Sequence, residues 1–112
     1  MAKNSSLDYK LGSVLNIRDA ARIKKDLLAL FKREGGSINI RLDTCEKLDL
    51  SVLQLLAAFV REARIRKIDL RMQGPLNPNL SQVLEDTDFL RMKGNKLFLF
   101  EQLKEGGVEI EC

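Results

Sequence analysis

Histidine and tryptophan are absent from this chain of 112 residues, and one tyrosine and five phenylalanines are its only aromatics. Most hydrolytic triads and transition-metal sites use histidine, so nucleophilic or zinc catalysis is not expected, and no cofactor or metal is expected with it. The scarcity of aromatics also removes the usual base-stacking platforms. The 19 basic and 16 acidic residues are interspersed without a polybasic block, so nucleic acid is not an expected partner. The two cysteines, Cys45 and Cys112, form neither a CxxC pair nor a metal-ligand spacing, and a disulfide would need an oxidising compartment for which there is no signal. No apolar run reaches the roughly 18 residues of a membrane-spanning helix, and MAKNSSLDYK lacks the apolar core of a signal peptide. The expectation is a soluble cytoplasmic protein that does not insert in a membrane. With 45% hydrophobic and 31% charged residues it should form a single domain over 1–112, its core at about 7–100 and a short C-terminal extension beyond.

What is present is an alternation of strand and helix signals. Leu7, Tyr9 and Leu11 alternate with Asp8 and Lys10, the period of a strand with one wet face. Val14 to Ile17 reads as a second short strand. A helix follows with Asp19 as N-cap, Ala20, Ile23, Leu27, Leu30 and Phe31 on one stripe, and Gly35-Gly36 as its stop. A strand over Ile38 to Leu42 then leads through a polar connection to a central helix at about Leu50 to Arg66. Ile68, Leu70 and Met72 mark a fourth strand, and Asn77-Pro78 opens a third helix with Leu80, Val83 and Leu84 as its buried side. Leu97 to Phe100 is a further strand, and Val108 with Ile110 reads as an edge strand or a frayed tail.

Three alternating strands imply a sheet with one face left to water or a partner, because sheets covered on both sides read as continuous apolar runs. The expected fold class is therefore α/β, a mixed and largely parallel sheet with helices packed on one face. The central helix is apolar over a wider arc than one contact needs: Leu53, Ala57 and Val60 add to the stripe of Val52, Leu55, Leu56, Phe59 and Ala63. Either neighbouring elements cover the extra arc, or it is a docking patch for another protein.

The run LGSVLNIRDAARIKKDLLALF, then GGSINIRLDTCEKLDLSVLQLLAAFVREAR, then VLEDTDFLRM resembles a STAS domain, the fold of bacterial anti-sigma-factor antagonists. The resemblance covers about residues 7–100. Its wording is most similar to small stand-alone STAS proteins linked to chemotaxis signalling and, more distantly, to the STAS subunit of bacterial phospholipid transporters. It implies a non-enzymatic module that binds a protein partner: an ATPase-type kinase, a chemotaxis component or a transporter ATPase. In regulated antagonists a serine or threonine directly after the landmark aspartate is phosphorylated. Here Leu50 follows Asp49, so the usual phospho-switch is not expected, and Ser51 is the nearest hydroxyl that could replace it or simply cap the helix.

The expected partner-binding residues are Asp49, Leu50, Ser51, Leu53, Gln54 and Ala57, at a helix N-terminus whose unpaired donors suit an anion or an acidic group. Asp43 and Asp49 could act as paired carboxylates but read better as turn and cap residues. Thr44 is a second candidate hydroxyl, and Cys45 reads as a small buried hydrophobe. Two functions stay open: a bacterial signalling module, or an accessory subunit of a phospholipid transporter. The wet sheet face and the apolar Leu97 to Phe100 segment leave room for a homodimer.

Overall fold

In the computed structural model, which describes residues 6–32, 37–103 and 107–111, a six-stranded sheet is joined by a two-stranded ribbon and three helices. The elements in order are β1 (Ser6–Lys10), β2 (Val14–Leu15), α1 (Ile17–Lys32), β3 (Ser37–Arg41), β4 (Lys47–Leu48), α2 (Leu50–Ile65), β5 (Asp69–Gln73), α3 (Pro78–Asp86), β6 (Leu90–Lys93), β7 (Lys96–Leu99) and β8 (Val108–Glu111). The sheet runs β1-β3-β5-β8-β7-β6. The first four of these strands pair in parallel; β7 is antiparallel to both β8 and β6. The expected mixed, largely parallel sheet with helices packed against it is what the chain forms.

The alternation read from the sequence is a burial pattern. In β3, Ile38 and Ile40 are buried while Ser37, Asn39 and Arg41 are half-exposed; in β8, Val108 and Ile110 are buried while Glu109 and Glu111 face water. One core cluster gathers the inward strand residues, Ile23, Leu27 and Phe31 of α1, the inner side of α2, and Leu80 and Leu84 of α3. The opposite sheet face is polar apart from the half-exposed Phe98.

Several boundaries differ from expectation for identifiable reasons. The cap of α1 is Asn16 rather than Asp19: its Oδ1 accepts from Arg18 N (2.9 Å) while the Asp19 carboxylate accepts from Asn16 N (2.9 Å), a reciprocal capping box. Gly35-Gly36 lies outside the described residues. Val83 is exposed, because only Leu80 and Leu84, one turn apart, face inward on α3. The segment before Gly94 is a strand, β6, closed onto β7 by a two-residue turn in which Gly94 adopts φ +60°, the value a tight hairpin asks of glycine. The chain end is neither extension nor edge: β8 lies between β5 and β7 in the sheet interior. Of the Leu97 to Phe100 segment, Leu99 and Phe100 are core residues, whereas Leu97 and Phe98 are half-exposed.

The wide apolar arc of α2 is filled from within. Leu53 (2% exposed), Ala57 (7%) and Val60 are all buried. Helix α1 packs on one flank, where Phe31 stacks on Phe59 at 4.3 Å between ring centroids. Beyond the other flank, Val60 shares a cavity with Ile68, Leu70 and Val108. The covered-arc alternative is therefore the observed one.

Removing Leu53 should accordingly damage folding. We expect Leu53→Ala to lower unfolding free energy by about 2–5 kcal/mol in denaturant titration, and Leu53→Asp to leave no cooperative transition by circular dichroism.

Candidate functional site

The short ribbon of β2 and β4 brings two helix starts together. Ser13 O accepts from Glu46 N (2.7 Å) and Lys47 N (3.1 Å), and Leu15 O accepts from Asp49 N (3.0 Å). Each strand runs straight into a helix, β2 into α1 and β4 into α2. Asp49 is extended (φ −77°, ψ 158°) and is the N-cap of α2, its carbonyl accepting from Val52 N (3.0 Å) and Leu53 N (3.1 Å). Its carboxylate makes no bond to its own helix. It accepts instead from Ile17 N (3.1 Å), the first amide of α1. One residue thus serves two helix N-termini, the carbonyl holding α2 and the side chain holding α1, where a negative charge is favoured by both dipoles.

Around this point the surface is unusually apolar. Among the described residues, seven large hydrophobic side chains stand exposed, and four lie on the ribbon, the two helix starts and the adjoining groove: Val14 (56%), Ile17 (69%), Leu50 (56%) and Val83 (47%). Val14 pairs with Lys47 across the ribbon, Ile17 donates to the Asp49 carboxylate, Leu50 follows it in sequence, and Val83 closes the far side of a groove of about 290 Å³ lined also by Glu46, Lys47, Leu48, Asp49, Asn79 and Leu80. Isolated exposed hydrophobics need no explanation; four grouped on one ribbon and the helix starts it joins do.

The expected binding residues divide. Asp49, Leu50 and Gln54 are exposed and share the first turns of α2, whereas Leu53 and Ala57 are core and are withdrawn as contacts. Ser51 is half-buried, and its Oγ is buried with no hydrogen-bond partner. The hydroxyl therefore neither caps the helix nor lies open to a kinase. Three surface residues were missed: Val14, Ile17 and Val83. The first had a signal, because adjacent apolar residues such as Val14 and Leu15 in a strand must point to opposite faces, so one of them has to face out.

The remaining candidates have structural roles. Arg41 donates to Asp43 (3.1 Å) and holds that carboxyl below its ordinary range. Thr44 donates to Leu11 O (2.7 Å). Cys45 is fully buried, as read, and burial pushes its thiol up to about 11, so it stays protonated and unreactive near neutrality. Among the described residues no group of three or more Cys, Asp or Glu side chains converges as a metal site would require, and no helix is long and apolar enough to cross a membrane. No protein-family model matches the chain, and no curated protein is found similar to it.

The double cap can be tested directly. Asp49→Ala should lower stability by about 1–2 kcal/mol in thermal melts, whereas Asp49→Asn, which keeps an acceptor for Ile17 N, should retain most of it. Ser51→Ala should cost nothing or raise stability by up to about 1 kcal/mol, since it removes a buried hydroxyl that has no partner.

Proposed function

We propose that this chain is a non-enzymatic STAS-type regulatory module of the bacterial cytoplasm that acts by binding a protein partner in signalling. The observation that carries this reading is the group of exposed apolar side chains Val14, Ile17, Leu50 and Val83 on the ribbon, the two helix starts held by Asp49 and the adjoining groove. Such a surface offers apolar contact area with the charged side chains Glu46, Lys47 and Asp49 beside it, so a partner can gain both apolar burial and polar contacts there. It is also pre-organised, so little ordering entropy opposes binding. The resemblance read from the sequence points to the same end of the same helix. Contact residues are Asp49, Leu50 and Gln54 of the expected set, joined by Val14, Ile17 and Val83.

Regulation by phosphorylation at this helix is not part of the proposal. Leu50 occupies the position after the aspartate and has no hydroxyl, and the Ser51 oxygen is buried. A partner of this module is instead controlled by abundance, or by its own state. An ATPase-type kinase or a chemotaxis component is the expected class of partner.

Affinity capture from bacterial lysate with the parent chain, Leu50→Asp and Ile17→Asp tests the reading. We expect a signalling ATPase or chemotaxis component to be recovered by the parent and reduced at least tenfold in both variants, which should melt like the parent because both side chains are exposed. Recovery of a transporter ATPase would transfer the module to lipid transport. Equal recovery by all three proteins would remove the surface from the proposal.

A further inference from the structure

The sheet has two edges, β1 and β6, and they differ in what they can accept. On β6, Arg91 and Lys93 share the open face, Lys93 paired with Glu101 (2.6 Å), and a symmetric pairing centred on Met92 sets each cation opposite the other. That is a common protection of an edge. Among its described residues β1 carries one charge of each sign, Asp8 and Lys10, instead of a run of cations.

Backbone register determines how β1 could be extended. Leu11 N donates to Arg41 O (3.2 Å), and Tyr9 lies beside Ile40 in the parallel pair with β3. In a parallel ladder the residues of one parity turn both backbone groups to one neighbour, and those of the other parity turn theirs away. Tyr9 and Leu11 therefore face β3, while the N–H and C=O groups of Asp8 and Lys10 point out from the edge. Both of these side chains are exposed. A strand added here must place its own outward residues opposite Asp8 and Lys10.

Charge then selects the occupant. In an antiparallel pairing of β1 with a second copy, a two-fold axis at Asp8 sets that carboxylate against itself, and one at Lys10 sets ammonium against ammonium. An axis at Tyr9 sets Asp8 opposite Lys10 of the second copy and Lys10 opposite its Asp8, and both are the hydrogen-bonded type of pair that exchanges its backbone N–H···O bonds. Tyr9, whose hydroxyl donates to Asp26 (2.9 Å), would lie on the axis with its half-buried ring against its copy. The flank of α1 above β1 carries Asp19, Arg22 and Asp26, both signs together, so the two helices brought side by side do not meet as like charges.

The geometry points to a homodimer formed by antiparallel pairing of β1 with β1 of a second copy, in the one register that joins Asp8 to Lys10 twice and continues the sheet across both molecules. It is an isologous contact and closes on itself. It does not rest on the proposed signalling partner.

Sedimentation velocity of the full chain over a range of concentrations, with hydrogen exchange on the same samples, tests it. The parent should dimerise, and the Asp8 and Lys10 amides should exchange more slowly as concentration rises. Asp8→Lys and Lys10→Asp should each weaken the dimer about tenfold or more, and the combined swap should restore it. Leu50→Asp should dimerise like the parent. A parent that stays monomeric throughout, single reversals that dimerise unchanged while folded by circular dichroism, a swap that fails to restore association, or a dimer lost in Leu50→Asp would each overturn the pairing.

Discussion

Enclosure of α2 is the constraint on which the other elements depend. Seven of its sixteen residues are buried, and α1 and β5 pack directly against it. A close-packed helix of this kind cannot slide or rotate without opening voids, each of which costs in lost contacts. Its first turn is consequently a fixed point, and Asp49 transfers that fixity to α1 by holding the Ile17 amide. The surface built on the two helix starts thus inherits its rigidity from the core, although its own residues are exposed.

The polar face of the sheet has a different character. Arg71 lies between Asp69 (3.3 Å) and Glu111 (3.8 Å), Lys96 reaches Glu109 (3.8 Å), and Arg41 reaches Asp43 (3.1 Å). Exposed pairs of this sort add little stability singly. Their effect is on selectivity. A face of interleaved charge resists burial against an apolar surface, which leaves the helix starts and the sheet edge as the places where contact costs least.

How much of this could be read in the sequence follows from the range of the signals. Periodicity is local, and it located β1, β3, β5 and all three helices; Asn77-Pro78 marked the start of α3 where Asn77 caps it. Which flank of a helix is covered is a tertiary matter, so Leu53 and Ala57 could not be distinguished from surface residues by spacing alone. The same limit hid the double service of Asp49, whose bond to Ile17 spans 32 positions. Strand β4, two residues long, is too short for a pattern; β6 does alternate Leu90 and Met92 with Arg91 and Lys93, but over four residues the signal is weak until its hairpin with β7 is seen. Asp19 was misassigned by one step of capping logic: in a capping box the acidic residue at the third helical position and the cap itself bond each other, so both look like caps.

The position of β8 has a kinetic consequence. Strands β1, β3 and β5 form one parallel group, β6 and β7 form a hairpin, and only β8 hydrogen-bonds to both. Gly107 lets it enter, since a Cβ there would strike the backbone of Leu99 and Glu101. The strand that unites the sheet is therefore the last of the described strands to be synthesised. Joining the parallel group to the hairpin therefore waits on residues 108–111, which must pair with β5 nearly forty positions earlier, a long-range closure.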